Sequence, residues 1–322
     1  MGQVLRRRFL AASGALFVAA VARSQQPGRT YRVGALFNVS GSTMKPYLAA
    51  LEERLGAHGF VAGSNLRLDA RAAYGEFHQD RTTVRALISA QADALFVSGD
   101  RAVRAAHGAT KTVPVVFAWV ADPLAAGIVE SYAVPGGNFT GVSNRLAELL
   151  QKRLELVHEL IPGVSRVVLL GYELDTHYQA QRKAFLSAAA QMGIELLEYR
   201  PVRIEQALKS KAQAMIALFQ YPESPLVGAN VVEKATRKQI PVLFPDSTAV
   251  EYGALVSYGA NLLDEVRRGA DLLAKVLNGA NPGELPVDQA ARFELVVNLK
   301  TAKALGLAIP SSILLRANRV IE

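Results

Sequence analysis

The sequence predicts two open α/β lobes, each a mostly parallel sheet flanked by helices, and three observations carry that reading. From Tyr31 onward, short apolar runs alternate with longer segments of helical period, as in βαβ units. The rhythm halts at Pro162-Gly163 and restarts with the same strand–helix order at residue 166. The apolar runs are rich in Val, Ile, Leu and Phe with little alternation, which suits strands covered on both faces.

In the first lobe, strands are expected at 32–37, 66–72, 94–97, 113–119 and 139–142. Helices are expected between them at 44–58, 78–91, 101–111 and 123–132. In the second, a helix over 145–160 leads into strands 166–171, 194–199, 215–219 and 242–244. These are separated by helices 176–192, 204–211 and 225–239. A brief strand at 254–258 precedes an amphipathic helix over 262–278, closed by Gly279. Strand 293–298, helix 301–305 and a segment at 310–315 end the chain. Elements left over after two lobes imply that the chain crosses between them more than once, with crossings near 141–144 and 253–258. The lobes are therefore expected at 30–142 plus about 255–285, and at 143–254 plus about 286–322.

The first residues read differently. Arg6-Arg7-Arg8 precedes an uncharged, Ala- and Val-rich stretch over 9–22, and small residues Ala22 and Ser24 bracket Arg23. That is the pattern of a secretory signal over 1–24, with an apolar core shorter than the roughly 20 residues a bilayer span needs. Arg-Arg-x-Phe-Leu looks like a twin-arginine signal, with an ordinary Sec signal or a short anchor as alternatives. Cleavage after Ser24 would release the chain to the periplasm. The four arginines of this segment account for half of the formal charge of +8, so little basic excess is left for nucleic acid. The chain has no cysteine, which excludes a lipidated cysteine, disulfides and thiolate metal sites.

Catalytic and cofactor signatures are missing. The Gly34–Gly41 segment has the wrong spacing for a pyrophosphate cradle, and neither a Walker A motif nor a Gly-x-Ser-x-Gly elbow occurs. The five histidines lie apart without metal-ligand spacing. The expectation is a binding protein without cofactor or metal, and not an enzyme. A sensory domain of the same architecture is the alternative.

In open α/β sheets, ligands lie beyond the carboxyl ends of the strands. That rule nominates Asn38, Ser40, Gly41, Ser42 and Thr43 after the first strand, where hydroxyls and backbone amides at a helix start suit a carboxylate. It nominates Ser98 and Asp100 after the third strand, and Trp119 and Asp122 after the fourth. Asp100 and Asp122 each have helix capping as the competing role, and Trp119 is read as a stacking wall. The second lobe contributes Tyr172, Tyr221 and Asp246, the tyrosines as an aromatic sandwich and Asp246 as the acid for a ligand cation. Together they describe a site for an amino-acid-like zwitterion.

Several segments resemble one family. They are Asp122-Pro123-Leu124-Ala125-Ala126-Gly127-Ile128-Val129, and Pro135-Gly136-Gly137-Asn138-Phe139-Thr140-Gly141-Val142-Ser143. Tyr258-Gly259-Ala260-Asn261-Leu262, Arg267-Arg268-Gly269-Ala270 and Phe293-Glu294-Leu295-Val296-Val297-Asn298 continue the match. The chain is similar to ABC-transporter substrate-binding proteins of the type that includes tryptophan- and tyrosine-binding members. The resemblance implies a type I periplasmic-binding-protein fold, a Venus-flytrap with two Rossmann-like lobes and three crossover strands. It also implies a small-molecule ligand and an inner-membrane permease with its ATPase as partners; the protein itself is expected to be a monomer. Ser98-Gly99-Asp100-Arg101 departs from the small and hydroxyl residues usual in the family after the third strand.

Overall fold

The computed structural model describes residues 28–73, 77–144, 149–171, 176–219, 225–290 and 292–322. The first lobe runs β1 (Tyr31–Phe37), α1 (Gly41–Ala57), β2 (Leu66–Ala72), α2 (Phe77–Ser89), β3 (Ala94–Ser98), α3 (Asp100–His107), β4 (Val115–Val120) and β5 (Phe139–Ser143). The second runs α4 (Leu150–Leu160), β6 (Arg166–Leu170), α5 (Thr176–Gln191), β7 (Glu195–Tyr199), α6 (Ile204–Lys209), β8 (Ala214–Ala217), α7 (Pro225–Arg237), β9 (Val242–Phe244), α8 (Thr248–Glu251) and β10 (Val256–Ala260). Then come α9 (Leu262–Leu277), β11 (Asp288–Gln289), β12 (Phe293–Asn298), α10 (Leu299–Ala304), α11 (Ser311–Arg316) and β13 (Arg319–Ile321).

One sheet has the order β11-β5-β4-β3-β1-β2 and the other β13-β12-β10-β9-β8-β6-β7. Pairing is parallel throughout the first sheet, and in the second only β10 with β12 is antiparallel. Every residue of β3, β4, β5, β8 and β9 is buried, as mainly apolar strands covered by helices on both faces are, and the buried Ser98, Thr140 and Ser143 among them are hydrogen-bonded. The chain passes between the sheets three times, after β5, after β10 and after β11.

Two assignments differ from the sequence reading. Residues 256–260, expected in the first lobe, form β10 of the second sheet; residues 288–289, expected in the second lobe, pair with β5 in the first. The first crossing falls after Ser143, as expected, whereas the two later ones fall a few residues beyond where hydropathy placed them, because strand pairing, not apolar content, decides sheet membership. The helix expected at 123–132 is absent. Pro123 opens a run of turns in which Gly127 adopts φ +66°, outside the helical region. The signal expected at 1–24 lies outside the described residues.

The returning helix α9 completes the first lobe. Asn261 caps it, its side-chain oxygen accepting from Asp264 N at 2.9 Å, and Asp264 and Glu265 complement the helix dipole in its first turn. Leu262, Val266, Ala270, Leu273 and Leu277 recur at helical spacing and enter the core with Phe37, Phe96 and Tyr47.

Candidate functional site

A cavity of about 550 Å³ opens between the lobes. The first lobe lines it with Thr43, Pro46 and Tyr47 from the start of α1 and with Asn261–Leu263 from the start of α9. The second lines it with Ser247, Thr248 and Glu251 after β9, Tyr252, and Glu294, Val296, Asn318 and Arg319. It thus adjoins the carboxyl ends of β1, β9 and β10, where the open-sheet rule places ligands. Of the sequence-nominated residues within the described set, Thr43 borders this cavity, and Ser247, which also borders it, is the immediate neighbour of Asp246. Tyr47, Tyr252 and Arg319 carried no signal in the sequence, since their approach depends on how the lobes meet.

Ser40 stands just before α1, and its Oγ lies 3.0 Å from Thr43 Oγ1 in a hydroxyl pair at the helix start. Gly41 opens the helix and is exposed, and the Ser42 side chain lies outside the described set. Ser98 is fully buried and its Oγ accepts from Asn38 N at 3.2 Å, tying the loop after β1 to that after β3. Asp100 accepts from Ala121 N at 3.3 Å, linking the loops after β3 and β4. Asp122 caps no helix, since none follows it; its Oδ1 accepts from Leu124 N, Ala125 N and Tyr132 Oη at 3.0–3.1 Å and closes its own turn. Tyr172 and Tyr221 lie outside the described residues.

Trp119 is a correction. Its side chain is 1% exposed within the first-lobe core, edge-on to Tyr47 at 4.6 Å between ring centroids. Its Nε1 donates to Leu262 O at 3.0 Å, so the indole pins α9 to β4 rather than forming a cleft wall. The backbone explains this turn inward. Trp119 has φ +60° at an irregularity in the β4–β5 pairing, a left-handed conformation costing on the order of 1–2 kcal/mol. Its N–H is taken up by Glu265 Oε2 at 3.1 Å.

Glu265 is itself buried, and desolvation pushes its carboxyl well above the usual range, against the Trp119 N–H; Asp264 and Asp100 raise it further, while Arg268 opposes. Its folded value exceeds the unfolded one, so the native state holds the extra proton as pH rises above the ordinary glutamate range. Stability then falls with pH through that window. Glu265→Gln, which is neutral at every pH, is expected to flatten this fall and to melt at or above the wild-type temperature at pH 8. Melting curves from pH 4.5 to 9 would check it, and an unchanged slope would refute it.

Asp246, at the end of β9, is 2% exposed. It faces a second buried charge, Arg153 of α4, whose Nε donates to Tyr258 O at 2.8 Å. Burial pulls the Arg153 pKa down to about 9, and the Asp246 carboxylate is the main charge acting against that pull. At neutral pH the guanidinium stays protonated. The acid nominated for a ligand cation already has a cation of the protein beside it.

Residues 32–321 match the family model described as ABC transporter substrate binding protein. The chain belongs to this family. Its members are solute-binding proteins, not enzymes; they bind small molecules, work with ABC transporters and are typically extracellular or periplasmic. The chain is 26% identical over 268 residues to a tyrosine-binding protein of Clostridioides difficile, covering 82% of this chain and 76% of that one. A conserved domain protein of Vibrio cholerae has 27% identity and a TM-score of 0.83 over 91% of this substrate-binding protein and 100% of that chain. An ABC domain in complex with L-Trp from Streptococcus pneumonia shares the fold at 24% identity and TM-score 0.81, with the same coverage. The fold is thus that of type I periplasmic binding proteins. No helix among the described residues is long and apolar enough to cross a membrane.

Proposed function

We propose that this substrate-binding protein captures a small amino-acid-like solute, with an apolar or aromatic side chain, between its lobes and delivers it to an ABC importer. The importer would consist of an inner-membrane permease and its ATPase, and the protein would act as a periplasmic monomer exported by residues 1–24. The observation that carries this is the interlobe cavity at the carboxyl ends of the strands, lined from both lobes. The names of the relatives, one tyrosine-binding and one bound to L-Trp, support the ligand class. In this reading the amides and hydroxyls around Ser40, Gly41, Ser42 and Thr43 meet the ligand from one lobe, with Ser98 and Asp100 shaping the neighbouring loops. From the other lobe Ser247, Thr248 and Tyr252 meet the ligand, since Asp246 is taken up by Arg153.

A thermal-shift screen of amino acids against the purified protein tests this. A ligand at a hundredfold excess over Kd adds about 2.7 kcal/mol of stability, a rise of roughly 5–10 °C. We expect such a rise for at least one aromatic or large apolar amino acid. No response to any amino acid would remove the zwitterion model.

A further inference from the structure

The first lobe holds a guanidinium that the reading above does not use. Arg101, in the first turn of α3, donates from Nε to Asp80 Oδ2 at 2.7 Å and from Nη2 to Asn38 Oδ1 at 2.9 Å. Asp80 lies in the first turn of α2, Asn38 directly follows β1 and Arg101 follows β3. All three sit at the carboxyl edge of the sheet, where open α/β sheets bind ligands; none of them lines the interlobe cavity, but Asn38 lies five residues before Thr43, which does. The Asp80 side chain is 0% exposed while that of Arg101 is 30% exposed, whereas the acids of the other direct-contact ion pairs among the described residues are 30–72% exposed. Burying a carboxylate is costly, and desolvation duly raises Asp80 against the attraction of Arg101. A surface arginine needs no such anchor; one held in a fixed orientation does.

The two anchors occupy Nε and one hydrogen of Nη2, leaving the Nη1 edge without a hydrogen-bond partner among the described residues. The neighbouring acids are committed elsewhere: Asp100 to Ala121 N, and Asp122 to its own turn. An open guanidinium edge in a planar, pre-oriented fork matches a carboxylate bidentately. We propose that Arg101 is the specificity-determining residue of the cleft, clamping the carboxylate of the solute, with Asp80 and Asn38 as its positioning residues. This deepens the capture reading and rests on it: the solute is a carboxylic acid, and its amide or amine counterpart is rejected.

The test uses matched probes on the purified full chain: L-tyrosine with L-tyrosinamide, phenylacetate with phenylacetamide, a panel of aliphatic amino, hydroxy and keto acids with their amides, and neutral sugars and nucleosides. Calorimetric Kd values are compared for wild type, Arg101→Lys and the double variant Asp80→Asn/Arg101→Gln. The double variant removes both members of the buried pair and so avoids stranding Asp80. We expect at least one acid to bind wild type, its amide to bind about 100-fold more weakly, Arg101→Lys to lose about tenfold and the double variant about 100-fold with a near-native melting temperature. Equal binding of acid and amide, or wild-type affinity of the double variant for the acid, would overturn the assignment. Binding of neutral solutes but of no acid would overturn it while leaving solute capture standing. Silence across every probe would sink both.

Discussion

Asp246→Ala is expected to lower the stability of the protein by about 3–5 kcal/mol, because it leaves the Arg153 guanidinium in the interior without its carboxylate. Arg153 is fully buried beneath β10, its Nε spent on Tyr258 O, and it stays charged at neutral pH. Removing one member of a buried pair costs far more than the pair contributes, since the surviving charge keeps its whole desolvation penalty. The double variant Arg153→Met/Asp246→Leu is therefore expected to recover most of the loss, although it too lacks the acid. Denaturant melts of the single and double variants distinguish the two explanations. An Asp246→Ala protein as stable as wild type would show that Arg153 has enough other partners to stand alone. The comparison also matters for function. Lost ligand binding in Asp246→Ala would mix misfolding with lost recognition, and only the isosteric Asp246→Asn, measured at equal folded fraction, reports on recognition.

Gly259→Ala is expected to be about as damaging, by overpacking. A Cβ on Gly259 would lie 1.7 Å from Pro245 O, a backbone atom that cannot swing aside. Gly141 in the first lobe has the same relation to the preceding strand, with Phe117 O at 2.2 Å from an added Cβ. Both glycines stand in the last parallel strand before the chain leaves its sheet, β5 and β10, where the preceding strand's carbonyl crowds in. Overpacking of this kind costs about 3 kcal/mol or more, against a few tenths for an exposed glycine such as Gly41 with open space around it. Expression and melting temperature of Gly141→Ala, Gly259→Ala and Gly41→Ala give the ranking; a Gly259→Ala protein that melts like wild type would refute the close approach.

Several readings survived the passage to three dimensions because they depend on local chemistry. Asp122 before Pro123 reads as a locally satisfied acid and is one, accepting from two amides of its own turn, although the helix it was expected to start does not form. The apolar runs of β3 and β4 read as buried strands and are buried at every position. Trp119 went the other way. A strand's carboxyl end is where a stacking ring is sought, but a left-handed residue at a pairing irregularity turns its side chain into the core, and no local pattern announces that. Glu265 was equally silent, since an acid in a first helical turn normally complements the dipole in solvent. Arg101 was visible only as an oddity; its meaning comes from Asp80 and Asn38, 21 and 63 residues away.

By itself, then, the sequence determined the alternation of elements, the doubling of the lobe and the lack of catalytic equipment, because hydrophobic period, Pro and Gly signals and motif spacing act over a few residues. Only the tertiary structure decided where the chain makes its two later crossings between lobes, which way Trp119 turns, and that Arg153 and Asp246 share one interior. Those outcomes depend on strand pairing and on desolvation, and both are settled by residues that meet from distant parts of the chain.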